Sequence, residues 1–416
     1  MDSKSARLLI LQFGNYAEAE HRFARGEGEN YYAQRYTVDY VASLVREGYL
    51  VRVISLGEDA PLERLPSGVE SGGFRLYPGR FRAPRTRYLV RMAAEWEPTH
   101  LLLHSPVSEV LRWAVQNRIK TLPLLADSFR ARGIRNQIRY RRLAAALNDP
   151  EIRWVVNHGP NSCVDLARIG VSASKLLPFD WPSFGSPSNF PAKKAPSNAS
   201  SITLTYVGQI VASKGVGDLI EAVAIAKANG EHYRAILAGK GEIEAFSRHA
   251  QRLGVADSVN FVGPVSRERV LELMKSGDLV VVASRHEYPE GMPQTIYEAL
   301  VSRSPLVVSD HPMFAGRIVH RKNGFSFGAA NPQSLYQAVH DLVHDSELYE
   351  QLSMDAEVNA SHFHGPLKWD QVITRWLSGT VEDDAWLRQY SLPLIACKTF
   401  TDPVRTDSGP PDRVLG

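Results

Sequence analysis

The sequence predicts an α/β protein made of two Rossmann-like domains, whose parallel sheets face each other across a cleft. Short apolar runs alternate with amphipathic stretches through most of the chain, as expected for parallel strands covered by helices. Residues 183–201 interrupt this alternation with a stretch rich in Ser, Pro, Asn and Lys, which is typical of a linker. The chain has 416 residues, more than one hydrophobic core usually supports. Ligands of such sheets bind at the carboxyl ends of the strands, so the cleft is the expected site.

In the first half, apolar runs predict the strands and the amphipathic stretches between them predict the helices. We assign residues 1–185 to an N-terminal domain. A long loop is expected after the first strand, and its glycines, which include Gly28, would let backbone amides approach a phosphate. The predicted strands are residues 8–12, 51–55, 74–77, 100–103, 121–124 and 153–156, and the predicted helices are 31–46, 106–116, 129–147 and 162–169.

The second half repeats the pattern after a linker at residues 186–201. We assign residues 202–365 to a C-terminal Rossmann-like domain and 366–390 to C-terminal helices, with a crossing back to the first domain left open. Residues 391–416 are rich in Pro, Asp and Gly and are predicted to be disordered. The predicted strands are 202–207, 233–237, 259–262, 279–282, 306–308 and 324–327, and the predicted helices include 218–226, 346–358 and 369–377.

Composition excludes several classes of protein. The net charge of +3 gives no support for nucleic-acid binding, and Cys163 and Cys397 form no metal or redox pattern. No apolar run approaches the ~18 residues that span a bilayer, and we expect no signal peptide at the start of the chain. We therefore expect a cytoplasmic protein, with contact to the inner face of a membrane left open.

The most informative motif is PEGMPQTIYEAL, which follows an apolar run and precedes another. Glu290 and Glu298 stand eight positions apart, and Pro293 suits the first position of a helix. The amino end of that helix is a ready site for an anion. Two carboxylates beside an anion site suit a ligand with hydroxyls and phosphates, such as a nucleotide sugar. Taken alone, such a pair also occurs by chance in many helices.

Other polar residues are predicted at strand ends that face the cleft. Lys214 follows the turn at Gly208 and precedes a helix, where it would reach an anion held at the strand ends; a solvated surface lysine is the alternative. In the first domain, Asp127, Asn157 and His158 follow predicted strands. We take these three as candidates for the acceptor side of the cleft, although a single histidine is more often structural.

Two clusters of arginine are interleaved with apolar residues in the first domain. Arginine with aromatic residues suits an anionic membrane or an anionic acceptor, and an ordinary solvated face is the alternative. One cluster contains Arg75, Arg80, Arg82, Arg85, Arg87 and Arg91, with Phe74, Tyr77, Phe81 and Tyr88 among them, and the other contains Arg130, Arg132, Arg135, Arg139, Arg141 and Arg142.

With these motifs in order, residues 202 to about 342 resemble the nucleotide-sugar-binding half of GT-B glycosyltransferases of the retaining family 4, glycosyl transferases group 1. The glutamate pair with its Gly-x-Pro turn is the specific part, and the first domain is similar in outline, as the acceptor side. The shared segments are VGQIVASKG, AGKGE, VNFVGPV, PEGMPQTIYEAL, PLVVSDHPMF and NGFSF.

The resemblance implies roles for individual residues. Glu290 would contact the donor sugar, Glu298 the ribose of the nucleotide, and Lys214 the diphosphate, which makes Glu290 and Lys214 the catalytic pair. The turn residues Gly291, Met292 and Pro293 would lie beside the sugar and the diphosphate. The implied reaction is a retaining, metal-independent transfer from a nucleotide-diphosphate sugar to a glycan, glycolipid or small-molecule acceptor, as in polysaccharide biosynthesis, with no cofactor.

Three positions depart from the family's pattern. Gln209, which we also place at the donor, stands where most members have an arginine, and Arg285 or Arg317 is the candidate replacement for that charge. Arg303 stands where the helix commonly ends in glycine, and Asp127 where many members have histidine. Two further hypotheses therefore stay open: a nucleotide-sugar epimerase of the same fold, and a non-catalytic nucleotide-sugar-binding protein.

Overall fold

The computed structural model describes residues 6–30, 33–77, 85–130, 133–183 and 185–394. In this part of the chain, fourteen strands form two sheets, of order β3-β4-β2-β1-β5-β6-β7-β8 and β11-β10-β9-β12-β13-β14. The strands are β1 (Arg7–Gln12), β2 (Leu50–Ser55), β3 (Ala60–Arg64), β4 (Glu70–Gly73), β5 (His100–Leu103), β6 (Lys120–Leu125), β7 (Val155–His158), β8 (Leu176–Phe179), β9 (Thr203–Val207), β10 (Arg234–Ala238), β11 (Val259–Gly263), β12 (Leu279–Val282), β13 (Leu306–Ser309) and β14 (Phe325–Phe327).

Helices connect the strands and cover the sheets. They are α1 (Tyr16–Ala24), α2 (Gln34–Arg46), α3 (Thr86–Glu95), α4 (Ser108–Gln116), α5 (Ile134–Leu147), α6 (Pro160–Arg168), α7 (Val216–Ala228), α8 (Ile243–Arg252), α9 (Arg267–Ser276), α10 (Gln294–Val301), α11 (Pro332–His344), α12 (Ser346–Met354), α13 (Ala356–Phe363), α14 (Trp369–Ser378) and α15 (Val381–Arg388). The second sheet is parallel throughout, and its central strand β12 is a continuous apolar run that is buried at every residue.

The edge of the first sheet differs from the prediction. The predicted strand at 74–77 is wrong: β3 and β4 form the edge instead, and they pair antiparallel to each other. Every residue of β3 is exposed, and β4 is rich in glycine, so neither segment shows the apolar run that marks a buried strand. Phe74 and Leu76 are buried, but they belong to the core beneath the sheet rather than to a strand.

The loop predicted after the first strand is also wrong, because α1 occupies half of it. Asn15 caps this helix, with its side-chain oxygen accepting a hydrogen bond from the backbone N–H of Glu18 at 2.9 Å. The helix has few large apolar residues, and its buried residues are Tyr16, Ala19, Glu20 and Arg22. The predicted helix at 31–46 begins at Gln34 within the described residues, and the one predicted at 346–358 is two helices, α12 and α13.

The C-terminal helices pack on the first sheet, not on the second. Trp369, Ile373 and Trp376 of α14 share one buried cluster with Leu8 of β1 and Val53 of β2. The chain therefore passes between the domains twice, and the two passages are bonded to each other. The backbone N–H of Asp180 donates to Leu367 at 2.8 Å, and that of Trp369 donates to Asp180 at 3.1 Å. The predicted tail is described only to residue 394.

Candidate functional site

The turn that carries the specific motif lies between the end of β12 and α10, at the carboxyl edge of the second sheet. Pro293 is the residue before the first helical position, with φ of −64°, so the helix begins one residue later than predicted. The carbonyl of Pro293 accepts the first bond of the helix, from Ile296 at 3.0 Å. Free backbone N–H groups at this helix end face the cleft, and they favour a negatively charged ligand.

Lys214 and Glu290 form a buried ion pair beside this turn. The ammonium nitrogen of Lys214 lies 2.6 Å and 2.9 Å from the two carboxylate oxygens of Glu290. Ser284 donates a third hydrogen bond to the same carboxylate at 2.9 Å, and the Lys214 ammonium also lies 4.3 Å from the centre of the Tyr288 ring. The structure therefore brings the two predicted catalytic residues together in a preorganised, largely desolvated contact.

Glu298, in α10, belongs to a second group of acidic and basic side chains, to which both domains contribute. Arg267 of α9 lies 4.0 Å from Glu298 and 4.0 Å from Glu29 of the first domain, and its backbone N–H donates to the Glu29 carbonyl at 3.0 Å. Burial raises the pKa of Glu298 to about 7, and the nearby Glu29 carboxylate adds to this rise while Arg267 opposes it. Near neutral pH this carboxyl is therefore poised between its two protonation states.

A cavity of about 530 Å³ opens between the domains next to Glu298. Gly208 and Gln209, at the end of β9, lie on its wall with Gln294 and Thr295 of α10. The cavity is large enough for a nucleotide, and its polar groups are at strand ends and at a helix amino end. From the first domain, Asn15, Glu18, Asn30 and Gln34 contribute to the wall.

Gly28 lies next to this group but is not among the residues that line the cavity. Its carbonyl accepts a hydrogen bond from Arg22 at 2.5 Å, and a Cβ atom at Gly28 would lie 2.9 Å from the Glu268 carboxylate on α9. The loop around Gly28 is thus a contact between the domains. Its predicted role at the donor phosphate remains a prediction.

Gly291 brings the second domain against the end of β6. A Cβ atom at this position would lie 2.9 Å from the backbone carbonyl oxygen of Ala126, too close for any larger residue without a shift of backbone. Met292 is buried and lines a separate cavity of about 220 Å³ with His158 and Tyr297. The turn therefore lies directly beside the residues that were predicted for the acceptor side.

Asp127 lies in a third cavity between the domains, of about 380 Å³, together with Tyr288 and Arg139. Phe13 and Tyr77, which stack with 6.4 Å between ring centroids, form an aromatic wall of this cavity. Burial raises the pKa of Asp127 to about 6, and Arg139 partly opposes the rise. A carboxyl beside stacked aromatic rings is an arrangement that binds sugar hydroxyls and ring faces.

Asn157 and His158, two of the residues predicted for the acceptor side, both have partners within the protein. The Asn157 amide donates to the backbone carbonyls of Asp127 and Ser162 at 3.0 Å and 3.1 Å. His158 is buried and lies 3.3 Å from Asp180, which also accepts a hydrogen bond from Tyr297 at 2.9 Å. Both residues therefore shape the edge of the cleft.

Sequence reasoning missed Asp180, which joins both domains at the double crossing. Burial opposes ionisation of its carboxyl, but the contacts with His158 and the backbone N–H of Gly365, with the His364 ring 3.6 Å away, hold its pKa well below the ordinary range. Asp180 directly follows β8. Because this strand was not predicted, Asp180 was not recognised as a polar residue at a strand end.

Neither candidate for the missing cation stands free beside Gln209. Arg285 makes two bonds to the buried carboxylate of Asp218, at 2.9 Å and 2.6 Å. Arg317 donates to the backbone carbonyl of Phe363 and lines the smaller cavity. The Gln209 side chain instead accepts a long hydrogen bond of 3.4 Å from Tyr288. In this arrangement Lys214 supplies the positive charge at the turn.

Known proteins resemble the second domain in sequence. Residues 189–358 match the family described as Glycosyl transferases group 1. The chain is 30% identical over 152 residues to an alpha-D-kanosaminyltransferase of Streptomyces kanamyceticus, which covers 36% of this chain and 39% of that protein. It is 24% identical over 188 residues to a D-inositol 3-phosphate glycosyltransferase of Jonesia denitrificans, with 42% of each covered. The chain spans about two fifths of the length of the curated relatives it matches.

Solved structures resemble nearly the whole chain in fold. HepE of Anabaena in complex with UDP-glucose has a TM-score of 0.61 at 19% identity, covering 90% of this chain and 100% of its own. WaaG, a glycosyltransferase involved in lipopolysaccharide biosynthesis, has a TM-score of 0.57 at 16% identity, covering 96% and 100%. The two-domain fold that the sequence predicted is confirmed, and it is the GT-B fold.

Among the helices described, none has both the length and the apolar character needed to cross a bilayer.

Proposed function

We propose that this protein, whose residues 189–358 match the glycosyl transferases group 1 family, is a retaining glycosyltransferase that uses a nucleoside-diphosphate sugar and needs no metal ion. The observation that carries the proposal is the ion pair of Lys214 with Glu290 at the amino end of α10. It combines a cation, a carboxylate and free helix N–H groups at one strand end. These are the groups needed to hold a diphosphate and a sugar side by side.

In the proposed reaction, the bond from the anomeric carbon to the diphosphate oxygen breaks, and a bond to the acceptor oxygen forms on the same face. The diphosphate leaves with negative charge, which Lys214 and the helix end at Pro293 stabilise. The acceptor's proton passes to the departing phosphate oxygen, so the reaction needs no separate base. Groups fixed before the reaction stabilise such charge far better in a desolvated cleft than in water.

The nucleotide is proposed to bind in the 530 Å³ cavity, with its ribose hydroxyls donating to Glu298. The Arg267 guanidinium, which lies 4.0 Å from both Glu298 and Glu29, would hold that carboxylate in place across the two domains. HepE was solved with UDP-glucose, which supports a UDP-sugar as the first donor to test. The donor sugar would extend past Gly291 toward Glu290.

The acceptor is proposed to bind in the 380 Å³ cavity at Asp127. This cavity adjoins the loop of Tyr288 and Pro289, directly before Glu290, so an acceptor hydroxyl there would approach the donor sugar. Closure of the two domains over both substrates would exclude water and limit hydrolysis. The contacts of Gly291 with Ala126 and of Gly28 with Glu268 are the places where the domains would meet on closure.

We also propose that the first domain docks reversibly on an anionic membrane from the cytoplasmic side, where it would meet a lipid-linked acceptor. Helix α5 exposes Ile134 and Ile138, one turn apart, at 76% and 47%, with arginines around them. Arg139 and Tyr140 of the same helix line the acceptor cavity. An apolar stripe with flanking arginines beside an acceptor cavity is what such docking needs.

The experiment that tests the proposal is incubation with a panel of nucleotide sugars, with and without acceptors, in the presence of EDTA. Transfer or slow donor hydrolysis in EDTA supports the proposal. Epimer formation without transfer would favour the epimerase hypothesis, and binding with no turnover would favour the non-catalytic one. An absolute requirement for Mg²⁺ or Mn²⁺ would contradict the metal-free mechanism.

A further inference from the structure

Two histidines and one glutamate form a cluster at α11 in the second domain, outside the candidate site. His340 and His344 are one turn apart in the last two turns of this helix. Glu231 faces them from the connection between α7 and β10. One ring nitrogen of each histidine and one carboxylate oxygen of Glu231 all lie within 4.8 Å of one another. None of these residues lines the three cavities described above.

The Glu231 carboxylate is buried and only half satisfied. Its Oε1 atom lies 3.0 Å from Nδ1 of His340, whereas Oε2 is buried without a hydrogen-bond partner at close distance among the described residues. The hydroxyls of Tyr233 and Tyr336 lie near this carboxylate, which together with burial raises their pKa values. The Glu231 side chain is 9% exposed. Leaving a charged oxygen buried and unpaired costs free energy, so the group favours a cationic partner.

The two imidazoles are arranged as metal-bound histidines commonly are. Nδ1 of His344 lies 2.8 Å from the backbone carbonyl oxygen of His340, a bond that fixes the ring and leaves Nε2 as its free lone pair. The centroids of the His340 and His344 rings lie 4.1 Å apart, and the ring planes are tilted by 34°. Around a tetrahedral ion with bonds of about 2.0–2.1 Å, neighbouring ligand atoms are roughly 3.3 Å apart. The distance between the Glu231 carboxylate oxygen and Nδ1 of His340, 3.0 Å, is already close to that, and the His344 ring is exposed.

We propose that Glu231, His340 and His344 bind a transition-metal ion of the Zn²⁺ class, which fastens α11 to the turn after α7. Two imidazoles with one carboxylate suit Zn²⁺ and its neighbours better than Mg²⁺ or Ca²⁺, which prefer oxygen ligands. The site lies outside the proposed substrate cavities, so its role is to stabilise the second domain rather than to take part in transfer. It does not depend on the proposed function.

The test is titration of the purified protein with Zn²⁺ in competition with a chromophoric chelator, together with thermal unfolding. We expect one Zn²⁺ per chain, at least tenfold weaker binding in His344→Ala, and a rise in Tm with Zn²⁺ that this variant lacks. His344 is exposed, so its loss leaves the fold intact.

The matched control is His249→Ala, because His249 also pairs with a carboxylate, Glu221 at 3.1 Å, but was not found in any three-residue cluster among the described residues. This variant should bind Zn²⁺ like the wild type. Equal Zn²⁺ binding by the wild type and His344→Ala would overturn the proposal. Equal affinity for Mg²⁺ and Zn²⁺ would overturn the assignment of the ion.

Discussion

The ammonium group of Lys214 lies 2.6 Å and 2.9 Å from the two carboxylate oxygens of Glu290, although the residues are 76 positions apart in the chain. The pair links the connection before α7 to the turn before α10. A donor diphosphate would compete with the carboxylate for the lysine. Donor binding would then turn Glu290 toward the sugar while Lys214 pairs with phosphate, so one event would set both groups for transfer.

Replacing Glu290 with Gln should reduce turnover by at least 10²-fold while leaving the affinity for UDP within about threefold. Glu290 is assigned to the sugar, so the nucleotide keeps its contacts. Steady-state kinetics and calorimetry with UDP measure the two effects. Glu272→Gln, on the exposed face of α9, is the control. Normal turnover in Glu290→Gln would show that the site is wrongly assigned.

Replacing Lys214 with Ala should slow transfer by roughly 10²–10³-fold, since a preorganised charge at the leaving group is lost. Gln209 stands where a second cation is expected, so Lys214 carries more of the charge stabilisation than it would with an arginine there. The variant also leaves the Glu290 carboxylate buried without its ion pair, so its Tm should fall; Lys214→Ala with Glu290→Gln restores part of that stability. Lys194→Ala, an 85% exposed lysine, is the control. Unchanged rates in Lys214→Ala would remove the lysine from the mechanism.

The affinity for UDP should increase as the pH rises through about 7, the pKa of Glu298, because the ribose hydroxyls need the carboxylate as acceptor. Glu298→Gln should bind UDP more weakly and without this pH dependence. Calorimetry from pH 5.5 to 8.5 measures both. A flat profile in the wild type would exclude Glu298 as the ribose ligand.

The same carboxyl makes a prediction for stability. Folding raises the pKa of the Glu298 carboxyl. Its contribution to the free energy of unfolding is therefore fully present at pH values below the pKa of the unfolded chain, and it is lost as the pH rises through about 7. The loss is on the order of 3 kcal/mol at pH 8. Glu298→Gln should therefore unfold at a higher temperature than the wild type at pH 8, and the difference should shrink at pH 5. Equal Tm values at pH 8 would contradict this.

Asp127→Asn should raise KM for the acceptor with little change in donor hydrolysis. Because the Asp127 pKa is about 6, kcat/KM for the acceptor should increase through pH 6 in the wild type and stay flat in the variant. The measurement is initial rates with the acceptor that the panel identifies. Asp257→Asn, an exposed substitution outside the cleft, should behave like the wild type. A parallel loss of donor hydrolysis in Asp127→Asn would move this residue to the donor.

Substituting Arg80, Arg82, Arg85 and Arg87 with Gln should weaken sedimentation with anionic liposomes, with no effect on neutral ones. Each arginine at such a surface contributes about 1 kcal/mol, and salt screens it. Arg80 and Arg82, with Phe81, lie outside the described residues. Arg85 is bonded to Asp59 at 2.9 Å, so we expect less from it than from the exposed Arg87 beside Tyr88. Equal recovery on both vesicle types would remove the membrane proposal and leave the transferase proposal standing.

The parts of the fold that were predicted correctly are those in which the local order of apolar and polar residues indicates the element. Strands β5 and β12 are apolar runs with polar flanks, and their predicted bounds agree with the structure. The hairpin of β3 and β4 was missed because an exposed edge has no apolar pattern. Helix α15 lies within residues 366–390, which were predicted to be helical, but its bounds were not predicted because half of its residues are polar; the cap at Thr380 stabilises its first turn.

The same distinction applies to the site. Glu290, Glu298 and Lys214 lie in local motifs, so each was visible in the sequence. The contacts around them join residues that are distant in the chain. Arg267 lies beside Glu298, and elsewhere in the cleft Asp180 contacts His158 and Tyr297. Such contacts depend on how the two sheets are placed, which no local pattern records.

The return of α14 to the first sheet has a consequence for synthesis on the ribosome. Leu8 and Trp369 share one core, and about 190 residues separate Phe179, the end of the last strand of that sheet, from Trp369. At roughly 5–20 residues per second, the nascent first domain waits about 10–40 s for the helix that covers it. The intervening second domain can fold in that time. An apolar face of the first domain meanwhile stays open to chaperones, and translation of the last helices closes it.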